Sequence, residues 1–367
     1  MASNNMELSL MDSGLNIPLK WYFDAAVLAQ EEQCLFDLGP RYVGHKQVVP
    51  NVGDYFAVPW KDEGQVLVNT GKDITLLSNI CRHRQAIMLR GRGHTQQIVC
   101  PLHRWTYHLD GQMAGAPYFD QNPCLNLERF PLTEWNGLLF QGQSPVMDEL
   151  TRSPSGELLD FRGYHLDSIK TARHNFNWKT FIEVYLEDYH VNTFHPGLSE
   201  FVDCSDLRWE MGTGYSVQTV GLKNKLNRSG SPVYERWQRV LKEYNRGLLP
   251  EYGAIWMVIF PNIMVEWYPH VRVISTVWPD GPERCTNVME FYYPEDIALF
   301  ERDFVMAQQQ AYSETAVEDD DICVRMSEGR QSLWERGKQE RGPYQTPMED
   351  GLLHFHEYLS RHMAQGR

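Results

Sequence analysis

The chain has 367 residues, of which 42% are hydrophobic and 22% are charged, with 34 Lys and Arg against 48 Asp and Glu. This is ordinary globular composition, and the length predicts two or three domains. The formal net charge of -14 argues against nucleic acid and anionic membranes as main partners, because both require a basic surface.

The N-terminus and the cysteines indicate the compartment. The N-terminus has neither the basic region nor the apolar core of a signal peptide, and the most apolar long stretch, residues 254–267, is too short to span a bilayer. Seven dispersed cysteines in such a chain favour thiols or metal ligands over disulfides. We therefore predict a cytoplasmic protein that is not bound to a membrane.

The N-terminal part of the chain predicts a helical segment followed by a small all-β domain. Residues 20–37 place apolar side chains at helical spacing. From residue 41 to 145, short β-rich pieces alternate with Gly, Asn, Asp and Pro, and the segment HLDGQM at 108–113 is typical of a hairpin turn. A stretch rich in Ser, Pro and Gly at 144–157 predicts a domain boundary.

The rest of the chain mixes helices and strands. Residues 176–194 have a helical pattern, and four apolar runs between 254 and 293 predict strands of one antiparallel sheet. Residues 294–332 predict a long helix, continuous or broken, and residues 348–365 predict a closing helix. Strands in runs with helices clustered around them are typical of an α+β domain.

Two Cys–His pairs form the first candidate site. Cys81-x-His83 and Cys100-x-x-His103 fall in two loops between strand-like pieces. Two thiolates and two neutral imidazoles can bind one zinc ion or a [2Fe–2S] cluster. A Cys-x-His spacing is tight for a zinc-finger pattern, so the cluster is the favoured interpretation and structural zinc is the alternative.

The segments NICRHRQ and IVCPLHRWTYHLDGQ around these pairs resemble the Rieske domain of ring-hydroxylating and demethylating oxygenases. The resemblance implies that Cys81, His83, Cys100 and His103 hold a [2Fe–2S] cluster in an all-β domain. Two positions that are not ligands depart from the family motif. These are Arg82, where Pro is usual, and Gln85, where Gly is usual.

Glu187, His190 and His195 form the second candidate site. Glu187 and His190 share a helical face, whereas His195 lies about 140° further round a regular helix than His190. The two histidines converge only if the helix ends or distorts, and Pro196 fits such a break. With one distant carboxylate they would form a two-histidine, one-carboxylate site for Fe(II). Ordinary half-buried helix histidines are the alternative.

The segment that begins at Asn177 also resembles the catalytic-domain motif of the same oxygenases. The resemblance implies that His190 and His195 bind mononuclear iron. It further implies that Glu187, where the family usually has Asp, bridges the two metal centres. Asp188 is a second candidate bridge, but its offset to His190 is unsuitable.

The third iron ligand in this family is a downstream Asp in a pattern like E-D-x-x-x-C. Glu318 to Cys323 match this pattern, which predicts Asp319 as the ligand. Asp320 and Asp321 remain alternatives. A solvated acidic patch is the interpretation without a metal.

The resemblance extends from about residue 20 to residue 360. It implies an α+β protein with an N-terminal helical segment at 1–40 that packs on the catalytic domain, a Rieske domain at 41–150, and a helix-grip (START/Bet v1-like) catalytic domain at 151–367. It also implies a head-to-tail homotrimer, in which Glu187 links His103 of a neighbouring chain to His190.

The implied function is that of the terminal oxygenase of a multicomponent system. It would use O2 for hydroxylation, dihydroxylation or oxidative demethylation of a small organic substrate. The chain lacks a dinucleotide fingerprint, so the electrons would come from a separate NAD(P)H-dependent reductase, with or without a ferredoxin. Glu187 and the closing segment favour a carnitine- or choline-monooxygenase-like branch without a β subunit. The alternatives are a Rieske-type electron carrier and a zinc-stabilised helix-grip ligand-binding protein.

The substrate pocket is expected along the predicted sheet, where about half of the alternating side chains point away from any cavity. Its aromatic content fits an arene as well as a quaternary amine, so the substrate stays open. A basic anchor would be needed for an aromatic acid. Pocket candidates are Trp256, Val258, Phe260, Asn262, Met264, Trp267 and Tyr268, and candidate anchors are Lys223, Lys225, Arg228 and Arg272.

Overall fold

The computed structural model describes residues 17–59, 63–142, 146–340 and 342–365, so the start of the predicted N-terminal helical segment lies outside the described residues. The chain divides into two compact units. One contains the described residues up to Gly39 and those from Ser153 onward, and the other is Pro40–Arg152. Each unit has a hydrophobic core of its own.

The unit Pro40–Arg152 consists mainly of short antiparallel strands. They are β1 (Arg41–His45), β2 (Asp54–Ala57), β3 (Gln65–Asn69), β4 (Ile74–Ser78), β5 (Arg92–His94), β6 (Ile98–Val99), β7 (Thr106–Tyr107), β8 (Met113–Gly115), β9 (Arg129–Phe130), β10 (Leu132–Trp135) and β11 (Leu138–Gln141). They form sheets in the orders β5-β2-β3-β4-β9, β6-β7-β8 and β1-β11-β10. The predicted hairpin turn joins β7 to β8, where Gly111 adopts a φ of 86°.

The other unit contains a seven-stranded antiparallel sheet in the order β12-β18-β17-β16-β15-β14-β13. Its strands are β12 (Tyr164–His174), β13 (Val202–Met211), β14 (Tyr215–Leu222), β15 (Ala254–Ile259), β16 (Ile263–Tyr268), β17 (Val271–Gly281) and β18 (Arg284–Pro294). The predicted four-stranded antiparallel core, β15 to β18, is therefore confirmed. The strands β12 to β14, which the apolar pattern did not reveal, extend it.

All α-helices of the described residues except Val146–Leu150 belong to the same unit as this sheet. In the described residues they are α1 (Lys20–Phe23), α2 (Ala25–Glu31), α3 (Val146–Leu150), α4 (Trp178–Tyr185), α5 (Val191–Phe194), α6 (Pro232–Tyr244), α7 (Glu295–Phe300), α8 (Arg302–Glu335) and α9 (Asp350–Gln365). The long helix predicted at 294–332 is broken at Glu301 into α7 and α8. No helix in the described part of the chain is both long and apolar enough to cross a membrane.

Two buried ion networks fix α4, which leads into the second candidate site. Glu31 at the end of α2 pairs with Lys179 at 2.7 Å. Glu183 accepts hydrogen bonds from Arg330 on α8 and His356 on α9. Burial alone would raise the pKa of Glu183, but the Arg330 guanidinium and the hydrogen bond from His356 lower it to about 2. Because an unpaired buried charge is very costly, the networks hold α4 against three other helices.

Candidate metal centres and active-site cavity

The two Cys–His pairs lie in two equivalent loops. Cys81 and Cys100 are buried. The amide of Gln85 donates to the carbonyl of Cys81, and the amide of Arg104 donates to the carbonyl of Cys100, both at 3.1 Å. Gln85 and Arg104 adopt φ values of 56° and 61°, in the left-handed region. Glycine adopts this conformation without steric cost, which explains why the family motif has Gly where Gln85 stands.

The four side chains of this centre are arranged for two metal ions better than for one. The Nδ1 atoms of His83 and His103 lie 3.2 Å apart, and the ring of His83 stacks on Trp105. Ligands of one tetrahedral zinc ion would all lie within about 4 Å of one another. In the described residues, only one group of three or more His, Cys, Asp or Glu side chains has its ligand atoms within 4.8 Å of one another, and it does not include the two Cys–His pairs. The two pairs therefore do not bring three ligand atoms that close together. The spacing fits a [2Fe–2S] cluster.

The second centre forms where the predicted helix 176–194 is interrupted. The helix α4 ends at Tyr185, and α5 starts only at Val191, directly after His190. His195 then leaves the helical conformation, with φ −107° and ψ 93°, before Pro196. The two interruptions bring the Nε2 atoms of His190 and His195 to 3.0 Å from each other.

Asp319 on α8 completes this group. Its Oδ1 atom lies 2.9 Å from Nε2 of His195 and 3.5 Å from Nε2 of His190. Successive residues on a helix point about 100° apart, so only one of the three neighbouring aspartates can face the histidines. Asp320 instead pairs with His174 at 3.0 Å, and Asp321 pairs with Arg325 on the exposed face of α8.

Each of the two histidines is contacted at its Nδ1 atom by one further carboxylate. Oε1 of Glu187 lies 2.6 Å from Nδ1 of His190, and Oε2 of Glu318 lies 2.7 Å from Nδ1 of His195. A carboxylate behind a histidine fixes the ring and its tautomer, as is usual for metal-binding histidines. Sequence reasoning placed Glu318 in a motif without giving it a role. Asp188 is buried, and burial raises its pKa to about 7.

The charges in this group favour a cation. Burial lowers the pKa of His190, but hydrogen bonds to Asp319 and Glu187 outweigh burial and raise it to about 10. Burial raises the pKa of Asp319, but the two histidines outweigh it and lower the pKa. A divalent cation can replace the proton that the raised pKa of His190 retains, next to the anionic Asp319. Two imidazoles and one carboxylate on converging atoms fit Fe(II) with open coordination positions.

A cavity of about 250 Å³ adjoins this group and lies on one face of the seven-stranded sheet. Every second residue of β16 lines it, namely Met264, Glu266 and Tyr268. Two of the seven predicted pocket residues, Met264 and Tyr268, therefore line the cavity. The other five candidates do not line it, in agreement with the expectation that many of the alternating side chains point away from the cavity: Trp256, Val258, Phe260, Asn262 and Trp267.

The basic anchors proposed for an aromatic acid do not line the cavity either. Arg272 belongs to the opposite face of β17, where it lies over the ring of Tyr164 at 4.5 Å. The cavity contains a different lysine, Lys170 on β12. The anchor candidates that this finding removes from the pocket are Lys223, Lys225, Arg228 and Arg272.

Sequence reasoning missed Glu266, one of the three acidic residues that line the cavity. The available signal was an acid in the middle of an otherwise apolar strand, in alternation with Met264 and Tyr268. Its carboxylate accepts hydrogen bonds from the hydroxyls of Tyr268 at 2.7 Å and Tyr312 at 3.0 Å.

Comparisons with known proteins agree with this geometry. Residues 40–131 match the family model of the Rieske [2Fe-2S] domain, and residues 159–365 match that of the ring hydroxylating alpha subunit (catalytic domain). The chain is 53% identical to a putrescine 2-hydroxylase of Ralstonia nicotianae, over 99% of this chain and 100% of the relative. It is 48% identical to a putrescine 2-hydroxylase of Bordetella bronchiseptica, over 95% of this chain and 85% of the relative.

Solved structures show the same fold. A quaternary ammonium Rieske monooxygenase in complex with an inhibitor superposes with a TM-score of 0.79 at 19% identity, covering 96% of this chain and 98% of that chain. The resemblance predicted from the two candidate sites is thereby confirmed, and a stand-alone electron carrier or a zinc-stabilised binding protein is set aside. The chain belongs to the Rieske non-heme iron oxygenases, as the terminal oxygenase component that carries a [2Fe–2S] cluster and mononuclear iron and works with O2 and a separate reductase.

Proposed function

We propose that this oxygenase hydroxylates a methylene carbon of a small aliphatic diamine of the putrescine type. The observation that carries the proposal is the cavity beside His190, His195 and Asp319, which is small, rich in aromatic rings and acidic. The two relatives at 53% and 48% identity are putrescine 2-hydroxylases, which supports the same substrate class. Acidic and aromatic side chains both attract ammonium groups.

Each metal centre has its proposed ligands. Cys81 and Cys100 would hold the [2Fe–2S] cluster through their thiolates, and His83 and His103 would hold it through their imidazoles. His190, His195 and Asp319 hold the mononuclear iron, with Glu187 and Glu318 behind the two histidines. When bound, the cluster supplies electrons and the mononuclear iron activates O2.

The chain's own residues orient the substrate and exclude water. The apolar cavity walls hold the methylene chain away from solvent, and Asp319 lies at the cavity wall, where the reacting carbon must approach. The overall reaction consumes one diamine, one O2, two electrons and two protons. It yields one hydroxylated diamine and one water, and a reductase draws the two electrons from NAD(P)H.

We further propose that the enzyme works as a cytoplasmic homotrimer. His103 is exposed, and the side chain of Glu187 retains 15% of its exposure. Both can therefore meet another chain, as is required if Glu187 links His103 of a neighbouring chain to His190. Buried free thiols and a need for NAD(P)H are consistent with the cytoplasm.

The experiment is turnover of the purified oxygenase with a Rieske-oxygenase reductase, NADH and ¹⁸O2. We expect 1,4-diaminobutane to be converted to a monohydroxylated diamine that contains one ¹⁸O atom, with NADH and product in a 1:1 ratio. Choline, carnitine and naphthalene serve as comparison substrates. Oxidation of any of these with 1,4-diaminobutane left intact would refute the diamine proposal.

Lys170 favours one second candidate, an ω-amino acid. This lysine lines the same cavity and lies 5.0 Å from the ring centroid of Phe291. A substrate with one ammonium and one carboxylate group could use Glu266 and Lys170 together. Turnover of 4-aminobutanoate in preference to 1,4-diaminobutane would support this candidate.

A further inference from the structure

Glu266 differs from the other buried glutamates that carry ion pairs in this unit. Glu31 is paired with Lys179, and Glu183 is paired with Arg330. Glu266 retains only 1% of its exposure, yet no basic side chain of the described residues lies within 4 Å of its carboxylate. A buried carboxylate without a cation is unstable in its charged form.

The environment of Glu266 keeps its carboxylate directed into the cavity. The hydroxyl of Tyr268 donates to Oε2 and that of Tyr312 donates to Oε1, while Nε1 of Trp256 donates to the Tyr268 hydroxyl at 2.9 Å. Burial raises the pKa of Glu266 to about 7, against the two tyrosine hydrogen bonds that lower it. A cation that enters the cavity would favour the charged form of this carboxylate, whose position the two tyrosines fix.

The cavity connects Glu266 with the second metal centre. Tyr312, which holds Glu266, and Asp319 are seven residues apart on α8, so they share one helical face and are separated by about 10 Å along the axis. Both residues line the cavity, as do Thr315 and Ala316 between them. An extended aliphatic chain anchored at Glu266 would therefore run along this face of α8 toward Asp319.

The lysine of the cavity does not neutralise Glu266. Lys170 lies on β12, and Glu266 lies on β16, three strands away in the sheet order β12-β18-β17-β16. At the usual spacing between strands this separation is roughly 14 Å. Asp320 is already paired with His174. Asp319 belongs to the metal group. Of the three carboxylates that line the cavity, Glu266 is therefore the one that a cation can bind away from the metal group.

We propose that Glu266 binds one ammonium group of the substrate, that Tyr268 and Tyr312 fix the position of its carboxylate, and that this anchor determines which methylene carbon faces Asp319. The inference rests on the proposed amine-hydroxylase function and deepens it, because it assigns substrate recognition to a particular residue. A purely structural alternative is that Glu266 only joins β16 to α8 through Tyr312.

The test compares binding of a charged ligand and a neutral one of the same length. The Kd values of 1,4-diaminobutane and 1,4-butanediol are measured by calorimetry on the full-length, metal-loaded oxygenase under anaerobic conditions. The variants are Glu266→Gln, which removes the charge, and Glu266→Asp, which keeps it at a shorter reach. Glu290→Gln is the matched control, because Glu290 is equally buried in the same sheet and accepts from Tyr292, but does not line the cavity.

We expect Glu266→Gln to raise the Kd of the diamine about 10- to 100-fold, the range of a charge-assisted hydrogen bond. The Kd of the diol, the iron content and the EPR signal of the cluster should not change. Glu266→Asp should lie between Glu266→Gln and the wild type, and it should alter the position of hydroxylation. Glu290→Gln should bind the diamine as the wild type does.

Several outcomes would overturn the anchor. These are an unchanged Kd of the diamine in Glu266→Gln, or an equal loss of diamine and diol binding, which indicates a structural role. A failure of the proposed function can be distinguished from a failure of the anchor. If the wild type takes a monoamine or a quaternary amine instead and Glu266→Gln loses that ligand, the anchor stands and the diamine assignment falls. If the wild type binds no cationic amine, both proposals fall.

Discussion

The two candidate metal centres differ in the chain distance between their proposed ligands and in their burial. The first centre draws Cys81 and His103 from a stretch of 23 residues, whereas His195 and Asp319 in the second are separated by 124 positions. His103 is exposed, but His195 is buried. An electron-transfer centre needs a ligand at the surface, and an oxygen-activating centre needs to exclude water. The exposed ligand of the first centre thus fits electron transfer. The buried ligand of the second centre, with partners from distant parts of the chain, fits O2 activation.

The centres also differ in what orients their ligands. In the first, paired backbone turns at Gln85 and Arg104 set the loop shape, and His83 stacks on Trp105. In the second, carboxylates hold the histidines, and ion networks hold the preceding helix. Substitutions at the second centre should therefore change charge balance and metal binding. Substitutions at the loops of the first should act mainly through backbone conformation.

The largest effect is expected for Asp319→Ala. Loss of the carboxylate should abolish mononuclear iron and turnover while the cluster stays reducible, because the two centres have no shared ligand. Iron and acid-labile sulfide should fall from a ratio near three to two to a ratio of about two to two. Asp321→Ala is the control, since Asp321 lies on the exposed face of the same helix. Full activity of Asp319→Ala would remove Asp319 from the site.

Glu187→Gln should separate electron transfer from metal binding. The glutamine can still accept from the backbone amide of His190, so both metals should remain, but the charge behind the His190 ring is lost. We expect the rate of product formation in a single turnover to fall about 10- to 100-fold. Glu200→Gln, outside both centres, should have the wild-type rate. Unchanged single-turnover kinetics in Glu187→Gln would reject the bridging role.

A smaller effect is expected for Glu318→Gln. Its carboxylate orients the ring of His195 from behind and makes the ring a better donor, so the variant should bind iron about tenfold more weakly. Competition with a chelator measures this affinity. Asp320→Asn is the matched control two positions further along α8, where the carboxylate contacts His174 instead. Equal iron affinity in Glu318→Gln and the wild type would contradict the positioning role.

Much of the fold could be predicted from local sequence patterns. The features that depend on how a helix is rotated, or on which face of a strand borders the cavity, could not be predicted in this way. The Rieske domain could be predicted because the four proposed ligands of its cluster occupy two short loops. The motif favoured Asp319, which the structure places beside the two histidines, but helical periodicity alone left Asp320 and Asp321 open, because the choice depends on how a 34-residue helix is rotated against the sheet. The pocket prediction included Trp256 and omitted Glu266, because the apolar runs do not reveal which strand face borders the cavity. Strands β12 and β13 were missed because long parts of them are half-exposed or polar. Strand β14 is almost entirely buried, but Ser216, Gln218 and Thr219 interrupt its apolar pattern.

The smallest expected effect is for Gln85→Gly, and it tests whether the first centre depends on backbone shape. A non-glycine residue in the left-handed region costs about 1–2 kcal/mol, and glycine loses about 0.5–1 kcal/mol more conformational entropy on folding. The net gain of about 0.5 kcal/mol should raise the temperature at which the cluster absorbance is lost by about 1–2 °C. Arg104→Gly, in the equivalent loop with a φ of 61°, should behave alike. Loss of the Rieske EPR signal in Gln85→Gly would show that the side chain, and not the backbone conformation, supports the cluster.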